Sequence, residues 1–328
     1  MIVKDQYVEN FPRPLKLEEY PLWLEKIGRV CYKSEEKISD GTAKNLLEMM
    51  WNKKHYSVFE HVHLVFEIDK KFITEDFKRE FTPTCFIRLS KRDKEKTMLI
   101  SGNIRAFSEF FEQYSKQYII TLIMLYIAKR LFSGINIYPA DNELVKWLNN
   151  TDQEDLINKK LDEINLITDY NDLTDHEYLI HWAETTYWFT NRSVTHELVR
   201  HRINASYSQE SQRYVAYNKS EMIFIRPKWS YEVSDSTLEN FTALYLEWLG
   251  HMDKCQEIYN KMIDSGIVPQ HARGVLPNDI KTELYCTMRM DAWKHFFELR
   301  TSVAAHPQIR ELALKIKDFF IKLKDKNE

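Results

Sequence analysis

"ETTYWFTNRSVTHELVRHR", residues 184–202, divides into two kinds of structure. Its first part, 184–190, is almost all β-branched or aromatic, which predicts a strand. Asn191 or Ser193 then caps a helix over 193–202, because a short polar side chain there can accept from a free N–H of the first turn. The alternation recurs in "KTELYCTMRM" (281–290, strand) and "DAWKHFFELR" (291–300, helix). "HVHLVFEI", 61–68, and "MIFIRP", 222–227, predict two more strands, the second ended by Pro227. Helices are predicted over 15–33, over 41–54 with Asp40 as N-cap, over 235–265 closed by Gly266, and over 306–324. Strands separated by helices predict an α+β fold.

The chain has 328 residues, 44% hydrophobic and 29% charged, as in a soluble globular protein. A net charge of −3 argues against a general nucleic-acid coat. The start, "MIVKDQYVENFPRP", lacks a signal pattern. The greasiest run, Tyr118–Ala128, falls short of the roughly 20 residues of a membrane helix and predicts a buried helix instead. Cys31, Cys85, Cys255 and Cys286 are scattered and form no CxxC, so neither a zinc knuckle nor a disulfide scaffold is indicated. A reducing cytoplasm is the expected setting. Only seven glycines occur, none spaced for a dinucleotide turn or a P-loop. Phosphate, if bound, must be bound by side chains, for which arginine is best suited.

The stretch from about 70 to 182 reads as a largely helical insertion within a single domain over 1–328. It holds a long helical pattern from Gly102 to about Ser133, broken by "INIYPADNE" and followed by a polar helical part. Its one distinctive motif is "ISGNIRAF".

Four groups of residues carry chemistry. His196 and His201 resemble a zinc-protease pair, but five steps along a helix set them about 140° apart, so no metal site is expected. Arg200, His201 and Arg202 could be a solvated basic helix end. However, Ser206, Gln209, Ser211, Gln212 and Arg213 follow at once, a set of hydroxyl, amide and guanidinium donors suited to a phosphate and a base edge. Arg273, His295 and Arg300 form a third group, on their own as consistent with a solvated helix face. His55, Ser57 and His61 precede or begin a strand, where polar residues are usually just loop.

Together these pieces resemble the flavin-dependent thymidylate synthases, the ThyX family. "RHRINASYSQESQRY" resembles its signature of RHR, seven residues, then Ser. "RVCYKSEEKISD", "HYSVFEH", "THELVRHR", "PQHARGVLPNDIKTELYCT" and "HFFELRTSVAAHPQIRELA" follow the family in order. The resemblance implies reductive methylation of dUMP to dTMP, with 5,10-methylenetetrahydrofolate as carbon donor and NADPH reducing a bound FAD. It also implies the ThyX-type fold, a central mixed or antiparallel sheet flanked by long helices, and a homotetramer with active sites shared between subunits. By the same resemblance, Arg200, His201, Arg202, Ser57, Gln209, Arg289 and His295 contact FAD, and His55 lies by the flavin and folate. Glu197, Arg200, Gln209, Glu210, Ser211, Gln212, Arg213, Arg273 and Arg300 contact dUMP. Arg300 helps to ionise the uracil N3, with Arg300 and His55 as the catalytic pair. A relative that binds flavin or nucleotide without turnover is the alternative.

Three departures stand out. Eight residues, not seven, separate RHR from Ser211, with the extra one near Asn204. Arg289, followed by Met290 and Asp291, stands where the family usually has Asn. The 70–182 stretch parts blocks that are close together in short members.

Overall fold

The computed structural model describes residues 1–81, 86–92, 96–113, 118–137, 154–217, 221–231 and 238–325. Among them are ten strands: β1 (Ile2–Lys4), β2 (Tyr7–Asn10), β3 (His63–Asp69), β4 (Ile87–Lys91), β5 (Thr97–Asn103), β6 (Ile164–Leu166), β7 (Ala183–Asn191), β8 (Ala205–Gln209), β9 (Ile223–Ile225) and β10 (Lys281–Arg289). They form two antiparallel four-stranded sheets, β2-β7-β10-β8 and β4-β5-β3-β6, and a parallel pair, β1-β9. The fold is therefore a mixture of helices and antiparallel sheet.

β10 organises the first sheet. It pairs with β7 from Lys281↔Asn191 to Arg289↔Ala183, and with β8 from Leu284↔Gln209 to Met288↔Ala205. Alternation along β10 sends Leu284, Cys286 and Met288 to one face. There they join Trp188, Trp293, Phe296, Ile309 and Leu312, from β7 and the helices Met290–Arg300 and Pro307–Asp325, in one apolar core. Thr287 points the other way, to His61. The imidazole of His61 bridges Thr287 Oγ1 at 2.7 Å and Ser208 Oγ at 3.0 Å. Burial pushes its pKa down to about 3, so it is a neutral, doubly hydrogen-bonded strut between layers.

Several elements differ from the sequence reading. "ISGNIRAF" is not the start of a long helix. Gly102 still lies in β5, paired with Leu64 and Ile87. A Cβ there would sit 3.1 Å from the Phe86 carbonyl oxygen, so the close approach of strands requires glycine. The helix begins at Ile104, and Asn103 Oδ1 accepts from Ala106 N at 2.8 Å. The 70–182 stretch thus supplies three strands of the second sheet as well as helices. Its apolar run forms the buried helix Tyr118–Tyr126, which continues into a π-turn. No helix among the described residues is long and apolar enough to cross a membrane. Most of the "INIYPADNE" break and the residues after it to 153 lie outside the described residues, as does Cys85.

Asp40 does not cap the second helix. Gly41 is the N-cap, at φ 79°, and the turn is held by Ser39 and Thr42. The long helix runs Leu238–Asp264, and Gly266 follows at φ 86°.

Candidate functional site

The helix Arg192–Leu198 begins as predicted, with Asn191 Oδ1 accepting from Val194 N at 3.0 Å. It ends before Arg200, earlier than the sequence suggests. The Tyr207 hydroxyl lies 2.9 Å from the Leu198 carbonyl and 2.6 Å from the His201 carbonyl, and its one proton is shared between these acceptors at the exposed helix end. Asn204 adopts the left-handed conformation, φ 54°, a region that asparagine tolerates better than most residues. The chain then enters β8, where the sequence reading had only loop.

The helix Met290–Arg300 brings its last residue to this turn. Arg300 donates from Nε to His201 Nε2 at 2.9 Å, from Nη1 to Glu197 Oε2 at 2.8 Å, and from Nη2 to the Glu197 carbonyl at 3.1 Å. An arginine Nε–H can only donate, so His201 Nε2 is the acceptor and its proton sits on Nδ1. Burial, then the charges of Arg300 and His295, bring the His201 pKa down to about 4. Arg200 stays exposed, with Glu197 Oε1 at 3.8 Å.

Arg200, His201, Arg202, His295 and Arg300 share one cavity of about 420 Å³, with Ile203, Leu299 and Ala292 as apolar wall. Three arginines and two histidines from two distant parts of the chain therefore face one space. Arg289 stands behind it. Its guanidinium is 1% exposed and holds Asp291 by two bonds, Nε–Oδ1 at 2.9 Å and Nη2–Oδ2 at 2.6 Å. Its backbone N–H donates to the Asn204 carbonyl at 3.2 Å. The extra residue and the unusual arginine, 85 positions apart in sequence, are thus neighbours.

The remaining candidates lie off this cavity wall. His55 Nδ1 meets the Tyr32 hydroxyl at 2.8 Å, Tyr32 lies against Tyr214, and Arg213 covers the Tyr214 ring at 5.4 Å. Ser211 is tied to Cys31 through its backbone, and its Oγ accepts from Arg213 N at 3.3 Å. The Gln212 amide nitrogen is buried and has no hydrogen-bond partner among the described residues. Ser57 is exposed on the 3₁₀ turn Tyr56–His61.

Gln209 Nε2 donates to Thr195 and Thr282. Glu210 is buried and taken by Lys281 (2.9 Å) and the Tyr217 hydroxyl (2.8 Å). Lys281 also binds Glu283 at 2.6 Å, and Lys33 binds Glu283 at 2.8 Å. Burial alone would raise Glu283, but the two lysines outweigh it and hold its pKa at about 2. Arg273 is exposed on the turn Arg273–Val275.

Sequence reasoning missed this buried lysine and carboxylate network and the Tyr32–His55 contact. Lys281 and Glu283, two apart on a strand, do share a face, which was the available signal. Among the described residues no group of His, Cys, Asp and Glu is placed to hold a metal ion.

Comparison with known proteins supplies a family. The family model described as "Thymidylate synthase complementing protein" matches residues 22–121 and 136–323. The flavin-dependent thymidylate synthase of Pyrococcus furiosus is 34% identical over 154 residues, 46% of this chain and 59% of that protein. That of Geobacter sulfurreducens is 34% identical over 143 residues, 43% of this chain and 58% of that protein. The matches thus span less than two thirds of these relatives' length. The solved structure of a UMP/dUMP methylase, PolB from Streptomyces cacaoi, bound with 5-Br dUMP, aligns over 43% of this chain and 66% of that one, at 24% identity and a TM-score of 0.37. The family match covers most of the chain, from the first predicted helix to the last: the chain belongs to the thymidylate synthase complementing protein family.

Proposed function

We propose that this protein is a flavin-dependent thymidylate synthase, a methyltransferase that converts dUMP to dTMP with 5,10-methylenetetrahydrofolate, FAD and NADPH. The observation that carries the reading is the shared cavity, in which Arg200, Arg202, His295 and Arg300 converge in a chain of this family. Its donors suit phosphate oxygens and its apolar wall suits a flat ring, so the residues fit an anionic dinucleotide without a glycine turn. Arg200, His201, Arg202 and His295 would hold FAD, with Arg289 acting from behind the wall. When bound, the flavin supplies the hydride that completes the new methyl group.

Arg300 supplies the electrostatics. Three of its N–H groups are committed to Glu197 and His201, which fixes the guanidinium rigidly at the cavity. A fixed cation beside the uracil N3 stabilises the negative charge left as the N3 proton departs, and it needs no reorganisation to do so. Neutral His201 can accept from Arg300 only while unprotonated, so it helps to orient that cation. Ser211 reads as a phosphate ligand, with Arg213. Its hydroxyl is bonded to a backbone N–H, and among the described residues no histidine or carboxylate is bonded to it to act as a base.

His55, Ser57, Gln209, Glu210, Ser211, Gln212, Arg213 and Arg273 lie off the cavity wall within one chain. A homotetramer whose subunits share sites would bring such separated groups together, and the reading includes that assembly and the ThyX-type fold. Free thiols at Cys31, Cys255 and Cys286 support a cytoplasmic setting.

The test is anaerobic. Purified protein loaded with FAD should lose its oxidised-flavin absorbance on addition of NADPH. It should then form dTMP, detected chromatographically, only when both dUMP and methylenetetrahydrofolate are present. Flavin and dUMP binding with no dTMP formed would overturn the reading in favour of a non-catalytic relative.

A further inference from the structure

The cavity of arginines has a single acid on its wall, Asp291. Its carboxylate is fixed from behind. Arg289 grips both oxygens, and Ala292 N donates to Oδ1 at 2.8 Å. Arg289 itself is 1% exposed, so its guanidinium stands behind Asp291 and is not part of the cavity wall. The Asp291 side chain keeps 31% exposure, and among the described residues its Oδ2 has one hydrogen-bond donor, Arg289 Nη2. A carboxylate oxygen can accept more than one hydrogen bond, so Oδ2 can accept from a ligand as well. The result is one rigid acceptor in a ring of donors.

We propose that Asp291 is a specificity-determining residue of this cavity. It accepts a hydrogen bond from a neutral hydroxyl or amine of the ligand and repels phosphate, which confines the phosphates to the arginines and sets which way round the ligand lies. Arg289 is its positioning residue. The inference rests on the reading of the cavity as the flavin dinucleotide site, and it deepens that reading. A phosphate oxygen beside a fixed carboxylate meets like charge, whereas a hydroxyl or N–H meets an acceptor that is already oriented.

The two effects have opposite signs, which separates this role from a merely structural one. Full-length protein would be titrated with inorganic pyrophosphate, riboflavin and adenosine by calorimetry, as wild type and as Asp291→Asn. The variant should bind pyrophosphate about fivefold more tightly, since a like charge is gone. It should bind riboflavin or adenosine about tenfold more weakly, since a charged acceptor is lost. Whichever neutral probe weakens identifies the group on Asp291, a ribityl hydroxyl or the hydroxyls and amine of adenosine.

Because Asp291→Asn leaves the buried Arg289 charge unbalanced, a double variant, Arg289→Met with Asp291→Asn, is the second arm. It should bind pyrophosphate as wild type does and still bind the neutral probe weakly. Unchanged binding of both neutral probes in either variant, or weakened binding of all three probes in Asp291→Asn, would overturn the proposal. Wild type that binds none of the three would instead overturn the reading of the cavity, and the proposal with it.

Discussion

Arg300 Nε lies 2.9 Å from His201 Nε2, although 99 residues separate them in sequence. The contact joins the end of one helix to the turn after another, and Glu197 completes it from two sides. Replacing Arg300 with Ala should therefore lower kcat by about 100-fold or more while leaving flavin absorbance largely intact, the scale expected for removing one fixed electrostatic donor. Steady-state dTMP formation measures it. A near-normal rate would show that the uracil does not sit against Arg300.

Acid should unfold the protein earlier than its carboxylates alone would. Burial brings His61, His63 and His181 down to about 3, and His201 to about 4. An unfolded histidine titrates near 6.5, so below that pH the unfolded state binds more protons than the folded one. The stability these groups contribute is fully present above about pH 6.5 and is lost as pH falls towards about 4 for His201 and about 3 for the other three, at up to about 1.4 kcal/mol per pH unit for each histidine. Glu283 acts in a lower window, between its unfolded value and about 2. Urea unfolding from pH 7.5 to pH 4.5 should show a falling midpoint, and His61→Gln should make the fall shallower. A midpoint flat across that range would contradict the neutral, buried assignment.

Lys281 sits between two carboxylates, Glu210 and Glu283. Lys281→Met should destabilise the fold by about 3–5 kcal/mol, because it leaves buried acids without their cation. Chemical denaturation checks this. A loss well under 1 kcal/mol would mean that Lys33 and Tyr217 suffice.

Ser211→Ala should weaken dUMP binding by about tenfold, the scale of one hydrogen bond to a charged group, and leave measurable turnover. Complete loss of turnover with unchanged dUMP affinity would restore the nucleophile reading.

The strands β7 and β10 were legible in the sequence because β-branched and aromatic residues dominate them, and the Asn191 cap because its chemistry is local. Arg200, His201, Arg202, His295 and Arg300 were legible as separate anion-binding groups. Their meeting was not, since it depends on strand pairing across nearly a hundred residues. The 70–182 stretch misled at Gly102, where a short apolar run reads equally as helix or strand until its partners Leu64 and Ile87 are seen. Asp40 was a plausible cap beside a glycine, and Gly41 took the position by adopting a positive φ.

The most direct measurement of the central claim is tritium release from 5-tritiated dUMP, with methylenetetrahydrofolate and FAD, run with and without NADPH. Release that requires both the folate and NADPH is the predicted result. No release from folded, flavin-loaded protein would contradict thymidylate synthesis, and Asn204 and Arg289, which touch through one backbone hydrogen bond, would be the first positions to revert.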